Sequence, residues 1–288
     1  RLPPLGLSTS RVARRQPRLP VLAGGEPSAP VASLGKYKED SRDWRDLPAE
    51  EVLQHLAVGR DQRAGLLTAL AVGILQALEE GYYWAPGPGD VSAVRCNHLR
   101  VPTSRLHYGV APAQPRDGIV VPQVSWEADV CPVDACLEMA LEDSQPRVAL
   151  VYFTAAGDSH SALGALAGGN FREVELMIRT TFIQALQDMP RQLHADPDRA
   201  LEEGGLIYTS EVTIVRGSLE DGAPWLRDPG AIDVLWLALQ RSPRLEEHGR
   251  DYELDEERAR MAEALERMLT WAVANGVEAL VLPPPGVG

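Results

Sequence analysis

VALVYFTAAGDSHSALGALAGGNFREVELMIRTTFIQALQD, residues Val148 to Asp188, changes character twice along its length. Val148 to Phe153 is apolar and rich in valine, the signature of a short buried strand. From Ala155 to Asn170 the chain turns to Gly, Ala and Ser, residues with almost no bulk. A helix follows. It opens on Glu173 and Glu175 and then places Leu176, Ile178, Phe182, Ile183 and Leu186 at a spacing that suits one buried face. Strand, small-residue loop and helix with an acidic first turn is a layout in which α/β proteins seat a ligand.

The flanking sequence extends this pattern. Towards the N-terminus, Leu47 to Val58 predicts a short helix, and Arg63 to Glu80 a longer one with Leu66, Leu67, Leu70, Ile74, Leu75 and Leu78 on one side and Gly81 as its stop. GYYWAPGPGDVSAV reads as a turn-rich excursion into short strands. Ile119 to Trp126 predicts a strand that Pro122 confines to an edge, and Pro132 to Leu141 a helix with proline at its favoured first position. Beyond Asp188, polar residues predict a loop over Pro190 to Gly205, then a strand from Leu206 to Val215 and a loop from Ser218 to Gly230. Ile232 to Leu239 predicts a central strand. Asp255 to Ala274 predicts a helix buried through Met261, Leu265, Met268, Leu269 and Val273, with a last strand over Val277 to Leu282. Strands alternating with helices give an α/β sandwich.

Composition narrows the function classes. A length of 288 residues suffices for one large hydrophobic core, and a net charge of −13 argues against a protein whose main task is to grip a nucleic-acid backbone. No run of about 18 apolar residues is present, so no membrane partner is expected, and the expected compartment is intracellular, cytoplasmic or nuclear. Residues 1–45, rich in Pro, Arg, Ser and Gly without a period, read as a flexible arm ahead of a domain at 46–288. The chain starts at Arg1 rather than methionine and stops at Gly288 just past three prolines, which leads to an expectation of truncation at both ends. Cys96, Cys131 and Cys136 have no C-x-x-C spacing, which fits a reducing compartment better than a disulfide scaffold or a zinc site. Asp158, Ser159, His160 and Ser161 are neighbours in sequence, whereas triad members meet through folding. Trp84, Trp126 and Trp225 could stack on a base, although aromatics beside loops more often serve packing.

The order of elements resembles the microbial-type poly(ADP-ribose) glycohydrolases, a branch of the macrodomain fold. The resemblance runs through RAGLLTALAVGILQALEEGYY, VSWEADVCPVDACLEMA, YTSEVTIVRG, WLRDP and EALVLPPPGVG and covers residues 63 to 288. It implies a three-layer α/β/α sandwich with a mixed central sheet and an N-terminal helical extension. The family's ligand strand ends in Asn-Phe-Ala-Asn-Ala, passes through a Pro-Gly-Gly-Gly loop and enters a helix through Gln-Glu-Glu. Here YFTAA, Tyr152 to Ala156, stands for the first, Ala162 to Ala165 for the second, and Glu173, Val174 and Glu175 for the third. Ala155 replaces an asparagine, and Leu163 and Ala165 replace glycines.

The implied activity is hydrolysis of a ribose O-glycosidic bond in ADP-ribose or an ADP-ribosylated macromolecule, with no cofactor and no metal. Such a bond breaks through an oxocarbenium-like transition state and needs a carboxylic acid to protonate the leaving oxygen. The resemblance assigns that role to Glu175, with Glu173 beside it; dipole complementation at a helix start is the plainer reading of both. Gly164, Ala165, Gly168 and Gly169, with Gly286, Val287 and Gly288 of a second loop, are implied to surround the ligand, where glycines let backbone N–H groups approach a diphosphate. The family's stacking aromatic would lie beyond Gly288. Loss of the asparagine and glycines leaves a second reading open, a degenerate module that binds ADP-ribose or a protein partner without cleavage.

Overall fold

A computed structural model describes residues 49–56, 60–87, 91–112, 124–125, 130–142, 144–155, 171–239, 244 and 252–283. The arm at 1–45, most of the strand expected at Ile119 to Trp126, and the loops at 157–169 and 286–288 lie outside them.

β4 (Val148–Ala155) is apolar throughout because both of its faces are covered. Val148, Leu150 and Tyr152 share one cluster with Val133 and Cys136 of α3 (Pro132–Ala140) and Leu176 of α4 (Phe171–Arg179). Phe182, Ala185 and Met189 of α5 (Phe182–Leu193) and Leu201 of α6 (Pro197–Glu202) complete it. Ala149 and Val151 point the other way, into a cluster with Ala264, Met268 and Ala272 of α7 (Asp255–Ala274). The sheet therefore lies between two helical layers. Its strand order is β3-β5-β6-β4-β7, with β5 (Leu206–Arg216) antiparallel to both β3 (Thr103–His107) and β6 (Trp225–Leu239), and β4 parallel to both β6 and β7 (Ala279–Val281). A separate antiparallel hairpin pairs β1 (Tyr82–Pro86) with β2 (Val91–Arg95).

The N-terminal extension is helical. α1 (Ala49–Leu56) and α2 (Arg60–Glu80) precede β1, and Leu66, Leu67, Leu70 and Ile74 of α2 form a further cluster with Val174, Met177 and Ile178 of α4. α2 on one side and the sheet with its helices on the other thus cover α4, and every described side chain from Val174 to Arg179 is buried. Periodicity predicts a single buried face for this helix; the packing of α2 against its second face accounts for the difference.

In the middle of β5 the ladder slips by one residue between Thr209 and Val212, a bulge that keeps Ile207, Val212 and Ile214 in the same cluster. Glu211 takes φ 63 there. The buried carboxylate of Asp233 accepts from Glu211 N–H at 3.0 Å, from Arg147 Nε at 2.6 Å and from the Tyr208 hydroxyl, and so satisfies the backbone that the bulge frees.

Four expectations are corrected. The single helix read from Glu173 to Asp188 is two, broken at Thr180 and Thr181. Thr180 Oγ1 donates to Leu176 O at 2.6 Å and accepts from Phe182 N at 3.0 Å. Thr181 N donates to Thr213 O at 2.9 Å, and Thr181 Oγ1 accepts from Thr213 N at 2.9 Å, so β5 supplies bonds that the helix would otherwise make. Thr181→Val keeps the shape and orphans the buried Thr213 N–H; urea unfolding should show a loss of about 1–3 kcal/mol. Second, Pro190 to Gly205 is mostly helix: Pro190 sits inside α5, and Asp196 caps α6 by accepting from Asp198 N at 3.0 Å. Third, Trp225 to Gly230 belongs to β6, because Arg216 pairs with Trp225 and Ile214 with Gly230 across a turn closed by a 3-10 segment at Leu219–Asp221. Its Pro and Gly suggest a loop in isolation, and pairing with β5 overrides them. Fourth, Leu269 and Val273 face outward at 49% and 39% exposure, while the stripe Met261, Ala264, Leu265, Met268 and Ala272 faces the sheet.

Candidate active site

α4 begins at Phe171, so Glu175 stands in its second turn rather than its first, and of the two carboxylates of this helix it is the one whose side chain is described. It is 2% exposed. The side chain of Glu173, two residues earlier, lies outside the described residues, as do Gly164, Ala165, Gly168, Gly169, Gly286, Val287 and Gly288.

Around Glu175 stands a cluster that spacing alone does not reveal. Arg179, one helical turn on and fully buried, donates from Nη1 to Glu175 Oε2 at 3.3 Å. Its Nη2 donates to Asp134 Oδ1, and its Nε donates to the Arg216 carbonyl at 3.3 Å. Cys131 donates its thiol to the same Oε2 and receives Arg179 Nη1 at 3.5 Å. Cys131 stands at the N-cap of α3, and its side chain reaches Glu175. The i, i+4 spacing of Glu175 and Arg179 is readable in the sequence. The approach of Cys131 and Asp134 from a helix more than forty residues earlier is not.

Burial raises the Glu175 pKa above the usual carboxylate value, with Arg179 and Cys131 opposing the rise and Asp134 adding to it. Burial likewise pushes the Cys131 thiol up to about 12, helped by the charge of Glu175, so it stays a thiol and a donor. Burial disfavours the Arg179 charge, but the bond to Asp134 and the charges of Asp134 and Glu175 outweigh it, and the guanidinium remains protonated. The cluster can therefore hold a carboxylic acid that keeps its proton to higher pH than an exposed glutamate, which is the state a general acid requires. Among the described residues, no three His, Cys, Asp or Glu side chains are placed to hold a metal ion.

Beside this cluster lies a second buried cation. Arg216 is 1% exposed, stacks over Trp225 at 3.7 Å from the ring centroid, and donates Nη1 to Ala223 O at 3.0 Å. Its Nε and Nη2 are buried without a hydrogen-bond partner among the described residues, and burial pushes the guanidinium down to about 9. Trp225 is held between Arg216 and Tyr83, whose ring stacks at 4.4 Å, so it serves packing. Trp84 is 45% exposed on β1, and Trp126 lies outside the described residues. A buried charge that lacks its full set of partners is costly, so Arg216→Met is expected to hold the unfolding free energy or raise it, by up to roughly 1–4 kcal/mol, read from the urea midpoint at unchanged slope. A lowered midpoint would show that stacking and the one hydrogen bond outweigh desolvation.

A mixed five-stranded sheet between helical layers, with a buried acid on the helix that follows its inner parallel strand, defines a macrodomain-like α/β fold. Solved structures share it. The crystal structure of poly(ADP-ribose) glycohydrolase from Thermomonospora curvata is similar at a TM-score of 0.57 and 22% identity, over 80% of this chain and 81% of that one. The same enzyme bound to the inhibitor ADP-HPD is similar at a TM-score of 0.52 and 19% identity, over 77% and 78% of the two chains. No family model and no curated protein matches the chain. At such identity the likeness establishes a common fold. None of the helices among the described residues is long and apolar enough to cross a membrane.

Proposed function

We propose that this protein recognises ADP-ribose and is a divergent ADP-ribosyl glycohydrolase, cleaving a ribose O-glycosidic bond with Glu175 as acid and base. The observation that carries this reading is the Glu175 carboxyl, buried between Arg179 and Cys131 on the helix after β4, where burial raises its pKa. The fold shared with a poly(ADP-ribose) glycohydrolase supports it. In this reading residues 46–288 form the glycohydrolase-like domain and 1–45 an appended arm. Glu173 assists at the helix start, Gly164, Ala165, Gly168 and Gly169 approach the diphosphate and ribose, and Gly286, Val287 and Gly288 close the second side. The compartment is intracellular.

Leu163 and Ala165 in place of glycines, and Ala155 in place of asparagine, favour a second reading, in which the protein binds ADP-ribose without cleaving it. Calorimetric titration with ADP-ribose, followed by a release assay on ADP-ribosylated protein with Glu175→Ala as control, separates the two. Heat with release that depends on Glu175 supports the hydrolase. Heat without release supports the binding module, and no heat at millimolar ligand removes both.

A further inference from the structure

We propose, resting on the assignment of Glu175 as acid and base, that Cys131, Asp134 and Arg179 form a positioning clamp that holds Glu175 by Oε2 and leaves Oε1 to carry the catalytic proton. Both donors converge on one oxygen: Cys131 Sγ and Arg179 Nη1 bond Oε2, and among the described residues none bonds Oε1. A carboxyl group whose one oxygen accepts two hydrogen bonds keeps its proton on the other. The donors are themselves fixed. Arg179 presents a planar fork whose Nη2 is tied to Asp134 and whose Nε is tied to the Arg216 carbonyl, so its Nη1 has little freedom to leave Oε2. Cys131 stays protonated, because burial opposes its ionisation.

The clamp also has a part in the bond change. As the ribose C–O bond breaks, its electron pair stays on the leaving oxygen, which takes the proton from Oε1, and Glu175 becomes a carboxylate. Arg179 and Cys131 bond that anion more strongly than the neutral acid. Water then adds to the anomeric carbon and returns a proton to Glu175, restoring the starting state. The charged and titratable groups that act on Glu175 from the described elements are Cys131 and Asp134 of the α3 start and Arg179 of its own helix. None of these need touch substrate, so they are positioning residues.

The test uses the full chain with Cys131→Ala and Cys131→Ser, because serine keeps an O–H donor at the same place. Rates of release from ADP-ribosylated protein are measured across pH. In parallel, the Glu175 carboxyl is titrated by carbon NMR with labelled glutamate, its signal assigned by its absence in Glu175→Gln. Cys131→Ala should lower kcat about tenfold with KM unchanged and move the Glu175 titration upward by about one pH unit, since a donor to the carboxylate has gone. Cys131→Ser should restore both. Equal behaviour of the two variants, or a kcat loss with an unmoved titration, overturns the clamp. A wild type without release activity removes the glycohydrolase reading alone; the clamp then stands if Cys131→Ala moves the titration and falls if it does not.

Discussion

Arg179→Met is expected to destabilise the fold by about 3–5 kcal/mol, read as a lowered urea midpoint with an unchanged slope. The magnitude follows from what remains behind. Arg179 is fully buried and faces Glu175, Asp134 and the Arg216 carbonyl at once. Methionine fills much of the volume but leaves Glu175, 2% exposed, with the Cys131 thiol as its remaining donor, and strips Asp134 of its buried partner. The double variant Arg179→Met, Glu175→Gln should recover part of the loss, because it no longer asks the interior to hold a carboxyl that lacks its cation. The surface pair Arg199–Glu203 at 2.8 Å is the contrast: Arg199 is solvent-exposed, and Arg199→Ala should leave the midpoint where it is. If Arg179→Met unfolds no more easily than that control, the buried cluster is not a stabilising unit.

Glu175→Ala is expected to reduce release of ADP-ribose by about 10²–10⁴-fold while the calorimetric heat with ADP-ribose persists, the outcome for an acid/base group that contributes little to ground-state binding. Loss of heat and release together would place Glu175 in binding rather than proton transfer. The pH dependence has a defined sign. Burial raises the Glu175 pKa from its model-peptide value of 4.5, so the protonated, donating form persists above the ordinary carboxylate range and activity falls as pH rises through the raised value. Stability follows the same group: the folded state holds this proton more tightly than the unfolded chain, so the contribution is complete below 4.5 and is lost as pH rises through the folded value. In Glu175→Ala both the activity limb and that component of the stability profile should vanish.

Much of the scaffold is legible from local pattern. The β-branched run at Val148, the leucines of α2 and the extent of α7 from Asp255 to Ala274 each depend on neighbours within a few residues. A strand buried on both faces and a helix ended by Gly276 at φ 75 have signatures of that kind. Glu175 is legible as a candidate for the same reason, standing near a helix start after a strand and a loop of small residues. Its resemblance-based assignment required no knowledge of what surrounds it.

What the pattern misreads is where distant segments compete for the same backbone or side chain. Thr180 and Thr181 look like helix interior until β5 offers Thr213 as donor and acceptor. Trp225 to Gly230 looks like a loop until it pairs with the end of β5. Leu269 and Val273 satisfy helical spacing as well as Ala264 and Ala272 do, and only the placement of the sheet selects the alanines. Local spacing by itself determined the alternation of strands and helices and the position of one acidic helix start. Tertiary structure alone decided that this acid is buried beside Arg179, Asp134 and Cys131, because desolvation and charge pairing depend on distances through space, and the chain brings α3 to α4 only when both close on the sheet.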